Sequence, residues 1–228
     1  MGSRGGPNIP TDGVQFVFDP RNPASLAGTY KTLIDDVTAT VTGATLSGTG
    51  YTLGFGFSGA TDSLSFGNLS RVNLTASLTV MGWIYPRSFG GGSIGRIFDK
   101  FKTTIPQSGF ALWIDNAIGT NAIVYGTGWA VSTTVARLSN QVDLNTWQHF
   151  AAVHSGTTVT FYKNGSSIGS SSSITAPTSG SVNACVGNNA GGTNNFDGTL
   201  GAVRIFNRAM TSTEILQTYN ATRSKYGL

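Results

Sequence analysis

The sequence predicts an all-β fold, a two-sheet antiparallel sandwich with a short C-terminal helix. Apolar residues recur with a period of two in a series of short runs, the signature of half-buried strands. Glycine makes up 31 of 228 residues, about twice its usual share of ~7%, and with Asn, Asp, Pro and Ser it punctuates those runs. Helical spacing with a start signal occurs near the C-terminus. No stretch in the middle has the composition of a linker, so the chain reads as a flexible N-terminal arm over residues 1–13 and one domain over residues 14–228.

The arm, "MGSRGGPNIPTDG", is polar and glycine-rich. "VQFVF" then places Val14, Phe16 and Phe18 on one face and ends at Asp19-Pro20, a first strand. "RNPASLAGTYKTLID" reads as loop. Alternation returns in "YTLGFGFSG", "DSLSFG", "SLTVMGWIYP", "RIFDKF", "GFALWID" and "AIVYG". In "NTWQHFAAVHSGTTVTFYKNG", Trp147, His149, Ala151 and Val153 point one way and Gln148, Phe150, Ala152 and His154 the other. Ser155-Gly156-Thr157 turns the chain into a second strand that ends at Asn164-Gly165, a pair suited to a type I′ turn. His149 therefore reads as a hydrogen-bonded framework residue. "GSSSSI" is a polar turn or sheet edge. Near the end, Thr211 and Glu214 have the spacing of a capping box, and Ile215 and Tyr219 share the face that would lie on a sheet.

Composition sets limits on function. Fourteen Lys+Arg against ten Asp+Glu leave +4 with a pI near 9.4, but no dense basic run implies a nucleic-acid partner. No apolar stretch approaches membrane-spanning length, and the N-terminus lacks the apolar core of an export signal. Cys185 is the single cysteine, so no intrachain disulfide forms, and its apolar strand context makes it a buried thiol.

The order of these motifs resembles the laminin-G-like jelly roll of the concanavalin A-like lectin/glucanase superfamily. Trp83 to Pro86 ends an alternating strand, Trp147 and His149 form the Trp-x-His strand, Asn164-Gly165 the hairpin, and Gly198 through Met210 with Glu214 the closing segment. The ends, "VFDPRNPASL" and "ILQTYNATRSKYGL", are similar to the versions of this domain in tailed-bacteriophage virion proteins.

The resemblance brings an enzyme into consideration, because the superfamily includes glucanases. Glycoside hydrolysis needs two facing carboxyl groups about 5–9 Å apart. The chain has one glutamate, Glu214, already assigned to the helix cap, and its one close aspartate pair, Asp35-Asp36, would point to opposite faces of a strand. No Gly-x-Ser-x-Gly elbow occurs, and the two histidines lack zinc-ligand spacing. Calcium-binding relatives carry acidic residues where this chain has Ser58, Gly201 and Ala202. Asp62 remains, and no metal or other cofactor is expected.

Binding is what remains. The loops "VYGTGWAVS", with Tyr125 and Trp129, and "VGNNAGGTNNFDG", with Asn188, Asn189, Asn194 and Asn195, offer rings and planar amides of the kind sugars engage. The competing reading has Trp129 covering the core and the asparagines stabilising turns. The resemblance at the ends implies a non-enzymatic surface module of a phage virion, a capsid-decorating or fibre-type protein made in the host cytoplasm. Its partners would be the capsid protein or other virion proteins and a host-surface glycan, with room for a homo-oligomer. Arg4, Arg223 and Lys225 would attach it. The alternative is a stand-alone carbohydrate-binding lectin domain, with a glucanase third.

Overall fold

The computed structural model describes residues 8–26, 30–128 and 133–228. In chain order its strands are β1 (Val14–Phe18), β2 (Thr40–Thr42), β3 (Thr45–Ser47), β4 (Gly54–Ser58), β5 (Ser63–Ser65), β6 (Leu78–Ser88), β7 (Ile94–Lys102) and β8 (Ser108–Asp115). They continue as β9 (Ala122–Gly126), β10 (Val135–Leu138), β11 (Gln148–Ser155), β12 (Thr158–Lys163), β13 (Ser166–Ser171), β14 (Cys185–Val186) and β15 (Asp197–Phe206). Two α-helices, α1 (Pro23–Leu26) and α2 (Ser212–Thr222), and four short 3-10 turns complete the described elements. None of the helices among the described residues is long and apolar enough to cross a membrane.

The strands form an eight-stranded sheet in the order β13-β12-β11-β6-β15-β4-β3, with β1 also pairing β15, and a seven-stranded sheet in the order β10-β9-β8-β7-β14-β5-β2. Every pairing is antiparallel. The architecture is the all-β two-sheet sandwich with a C-terminal helix that the alternation predicts. Side chains alternate along each strand, so each sheet contributes one face to the space between them. Phe16, Phe18, Phe55, Phe57, Phe98, Phe110, Phe150 and Phe161 meet there in one buried cluster.

The outer face of the eight-stranded sheet is covered by α2 and the tail. Thr211 caps the helix by accepting from Glu214 N–H at 3.2 Å, while Glu214 Oε2 accepts from Thr211 N–H at 2.8 Å. Ile215 packs with Met81, Ala151, Val153 and Phe206. Farther along, Tyr226 stacks on Trp83 at 4.1 Å and Trp83 Nε1 donates to Thr222 Oγ1 at 3.0 Å. His149 lies in this layer, 5.2 Å from Trp83, fully buried and, among the described residues, without a hydrogen-bond partner on either ring nitrogen. It is a framework residue by packing, not by the hydrogen bond expected of it. Burial and the nearby Arg204 charge push its pKa down to about 3.

Three expectations about local structure change. The stretch read as loop contains α1, which starts on Pro23, where the missing N–H is harmless. Asp35 and Asp36 lie in a turn, both at positive φ, and pair with Arg71 and Lys31. Residues 8–13 of the expected arm are docked: Gln217 Nε2 donates to Asn8 O, and Arg208 reaches Asp12 O at 3.0 Å and its carboxylate at 3.1 Å. Arg208 also forms a paired contact with Glu214 at 2.6 and 3.0 Å, so the arm and helix cap share one guanidinium.

Candidate functional site

The register of the seven-stranded sheet sorts the loops into two rims. Antiparallel pairing sets the end of β7 beside the start of β8 and the start of β14. Residues 66–73, 103–107 and 172–184 therefore gather at one rim, called here the first. Residues 59–62, 87–93 and 187–196 gather at the second. Gly126 at the end of β9 pairs with Ala111 near the start of β8, so Thr127 and Thr134, joined N–H to O at 2.9 Å, also belong to the first rim. The end of β9 and the asparagine loop, both expected to offer groups to a sugar, thus lie at opposite rims.

At the second rim the asparagines bind one another. Asn188 is fully buried. Its Oδ1 accepts from Asn189 N–H at 2.8 Å and Asn194 N–H at 3.2 Å, and its Nδ2 donates to Asp62 O at 3.3 Å. Asn189 Oδ1 accepts from Thr193 N–H at 2.8 Å, and its Nδ2 donates to Asn194 Oδ1 at 3.2 Å. Asn195, also buried, gives its carbonyl to Gly91 N–H at 3.0 Å. These are turn-building contacts, the competing reading of this loop. Tyr125 has no ligand-facing surface: β9 pairing turns it inward into the core, with its hydroxyl 3.1 Å from His154 Nδ1. Trp129 and Arg4 lie outside the described residues.

Of the positions where the resemblance implies calcium ligands, Ser58 lies at this rim, while Gly201 and Ala202 lie in the middle of β15. A cleft of about 290 Å³ is bordered by Ser58, Asp62 and Arg87. Asp62 Oδ2 accepts from Ser58 N–H at 2.7 Å. The Arg87 guanidinium donates to Asp197 Oδ1 at 2.7 and 3.1 Å and to Phe57 O at 2.7 Å, and Ser88 Oγ donates to Asp197 Oδ2 at 2.7 Å. A fixed side-chain cation thus already neutralises the carboxylate beside the cleft, and Gly201 is packed against Tyr226, where an added Cβ would lie 2.4 Å from the hydroxyl. The residues present do not fit a calcium ion, which needs several oxygen ligands with charge to spare. Among the described residues no three His, Cys, Asp or Glu side chains converge.

The first rim differs. A cleft of about 410 Å³ opens there, lined by the amides Asn68, Asn73 and Gln107 and by hydroxyls that include Ser108, Thr178 and Ser179. Lys102 and Pro106 complete much of the wall, and no carboxylate contributes to it. Lys100 stands behind it, its ammonium donating to Asn68 Oδ1 at 2.8 Å and Val182 O at 2.7 Å. Burial lowers the Lys100 pKa to about 8, which still leaves the group mostly charged at neutral pH. Thr178 ties its loop to the start of β8, its carbonyl accepting from Gly109 N–H at 2.7 Å and its hydroxyl donating to Gln107 O at 3.3 Å. Sequence reading missed this cleft because its residues come from three separate loops without an aromatic or a motif.

The outer face of the seven-stranded sheet carries a buried charge pair that spacing also hid. Arg96 Nε lies 3.2 Å from Asp99 Oδ2, both fully buried, and the guanidinium sits 4.3 Å over Trp113. Residues three apart face opposite sides of a regular strand, but a bulge between Arg96 and Phe98 returns Asp99 to the side of Arg96. Burial pushes Asp99 up to about 6 against the pull of Arg96. Cys185, in register with Asp99, is a buried thiol whose pKa burial raises to about 11.

Asp19, Arg21 and the tail form an intramolecular clasp. Arg21 Nη1 donates to Gly50 O at 2.7 Å and Lys225 O at 2.5 Å, with its guanidinium 4.2 Å over Tyr226. Asp19, buried, lies 3.6 Å from Arg204 and 3.7 Å from Lys225. Arg223 is exposed beside Tyr219 at 5.9 Å. The end motifs that resemble phage proteins, and Lys225 of the expected attachment set, therefore close this fold on itself.

Comparison with known proteins accords with the architecture. The binding domain of Paraclostridial Mosquitocidal Protein 1 superposes with a TM-score of 0.67 at 16% identity, over 92% of this chain and 52% of that one. Domain 4 of AbnA, an extracellular GH43 arabinanase from Geobacillus stearothermophilus solved in complex with arabinotriose, gives 0.65 at 15% identity, over 90% of this chain and 98% of that one. Trypanosoma rangeli sialidase gives 0.63 at 15%, and the chain spans about a third of it, 34%. At these identities the likeness is one of fold. No curated protein matches the chain in sequence. A family model, a laminin-G type described as the concanavalin A-like lectin/glucanases superfamily, matches residues 58–216. With its fold, motif order and family match in agreement, the chain belongs to the concanavalin A-like lectin/glucanases superfamily.

Proposed function

We propose that the chain is a carbohydrate-binding domain that holds its glycan in the first-rim cleft without cleaving it. The observation that carries this is the lining: amides, hydroxyls and one ammonium, with no carboxylate. Planar amides and hydroxyls match the donor and acceptor pattern of sugar hydroxyls, while hydrolysis would need an opposed carboxyl pair. The arabinanase domain that this chain almost spans is a precedent for a saccharide on this fold. The virion reading rests on the end motifs and on Arg4, Arg223 and Lys225, and the clasp gives Lys225 and much of those motifs an intramolecular role.

The test is retention on a polysaccharide panel that includes arabinan. Ser179→Trp, an exposed cleft position, is expected to abolish retention while leaving the melting temperature unchanged. Thr45→Trp, at the second-rim cleft, is expected to retain it. Equal retention by wild type and Ser179→Trp would remove the cleft from the reading.

A further inference from the structure

Of the three amides that line the first-rim cleft, Gln107 spends its NH2 on Thr103 O at 3.2 Å, whereas Asn68 and Asn73 keep theirs for the cleft. Asn68 has its Oδ1 engaged by the Lys100 ammonium at 2.8 Å, which leaves its NH2 as the group offered to the cleft. Asn73 Oδ1 is buried without a hydrogen-bond partner among the described residues, so its NH2 is the more accessible end. Lys102 lines the cleft, half-buried, and has no ion-pair partner among the described residues. Lys100 and Lys102 are two apart on β7, so strand alternation sends both to the same side. Asp99 and its partner Arg96 are on the other face. A cleft with an ammonium, two amide NH2 groups and no carboxylate is electrostatically suited to an acceptor that carries charge, because hydrogen bonds to an ionised group are about twice as strong as neutral ones. The apolar mouth, Pro106 with Ile105 exposed at its side, gives the ligand's C–H face something to lie on.

Resting on the carbohydrate-binding reading above, we propose that the cleft selects a sugar acid, seating its carboxylate against Lys102 and the amide NH2 groups of Asn68 and Asn73. One free ammonium balances one negative charge, which favours a single carboxylate over a polysulfated chain. Lys100 is a positioning residue: it holds Asn68 with the oxygen turned away from the ligand.

The experiment is calorimetric titration of the full chain with oligogalacturonate and sialyllactose, each beside its neutral counterpart, a carboxyl-reduced oligogalacturonate and lactose. A heparin fragment serves as the sulfated probe. Wild type is expected to bind at least one acidic saccharide about tenfold more tightly than its neutral counterpart, the worth of one charged hydrogen bond, and the margin should shrink with added salt. Lys102→Gln should erase the margin. Asn68→Asp, which keeps an oxygen for Lys100 but replaces the NH2 with a second oxygen, should also erase it, and circular dichroism melts would show both variants folded. Equal binding of acidic and neutral saccharides, an undiminished margin in Lys102→Gln, or tighter binding of the heparin fragment would overturn the sugar-acid proposal and leave the carbohydrate-binding reading standing. Failure of wild type to bind any saccharide, acidic or neutral, would overturn both.

Discussion

The two rims of this sandwich are built from the same kinds of residue and differ in where their hydrogen bonds go. At the second rim, Asn188, Asn189, Asp62, Asp197 and Arg87 satisfy one another, and the loop is an internally bonded piece of scaffold. At the first rim, Asn68, Asn73 and Lys102 line an open cleft, and Lys102 has no ion-pair partner among the described residues. Capacity for a ligand is thus a property of unsatisfied groups, not of residue type. An asparagine-rich loop looks the same in sequence whether its amides face a sugar or the next turn of the chain.

The largest effect that would break this comparison is at Asn188. Asn188→Ala strands the Asn189 N–H and the Asp62 carbonyl, each worth about 1–3 kcal/mol when left unpaired, and leaves Asn194 N–H with Asn189 Oδ1 alone. We expect a total loss of about 2–4 kcal/mol in urea unfolding, with saccharide retention by the folded fraction unchanged. Ser179→Ala at the first rim should behave in the opposite way, with stability within about 0.5 kcal/mol of wild type and weakened retention. Equal destabilisation by both substitutions would erase the distinction between the rims.

Acid comes next, and it sets the pH range in which retention can be compared at all. Burial holds His149 neutral, with its folded pKa lowered from 6.5 to about 3. Below pH 6.5 the unfolded chain takes up a proton that the folded chain refuses, so this contribution is complete above 6.5 and is lost as the pH falls toward 3. At pH 5 the loss is about 2 kcal/mol. Asp99, raised to about 6, acts in the opposite direction, since its protonated form is the one burial favours. The measurement is therefore a difference: unfolding free energy of wild type minus His149→Phe from pH 7 to pH 4.5. It should fall as the pH drops, and a flat difference would show that the imidazole charges inside the fold.

A smaller effect is expected at Glu214. Glu214→Gln removes the charge shared by the helix cap and Arg208, for about 0.5–2 kcal/mol by thermal melting, and leaves saccharide retention as it was. The smallest is metal removal. With Arg87 on Asp197, a chelator should leave the melting temperature unchanged, because only a ligand bound to the folded state raises apparent stability. A rise with added calcium would show that the ion displaces the guanidinium.

Much of the fold was legible because its signals are local. Alternation over Leu78–Ser88, the Asn164-Gly165 turn and the Thr211–Glu214 cap each depend on residues a few positions apart, and each appears as read. Edge strands such as Thr40–Thr42 escaped notice because their exposed threonines carry no buried face to alternate. The docking of residues 8–13 was hidden because its partners, Arg208 and Gln217, are about two hundred residues away. The candidate site was read less well, and for one reason throughout. Tyr125, taken for a sugar platform, belongs to a strand whose parity turns it inward. The cleft itself joins Asn68, Lys102 and Thr178, which share no pattern until three loops are brought to one rim.

The placement of β15 has a consequence for synthesis on the ribosome. This strand, residues 197–206, lies inside the eight-stranded sheet and pairs with β1, β4 and β6, all made long before it. Until it emerges, the early strands hold unpaired edges and exposed phenylalanines, the condition under which nascent chains associate with one another. The sheet cannot zip up vectorially from its N-terminal strands. It must wait until residue 206 has been made, so the growing chain is safest where that interval is short or a holdase shelters it.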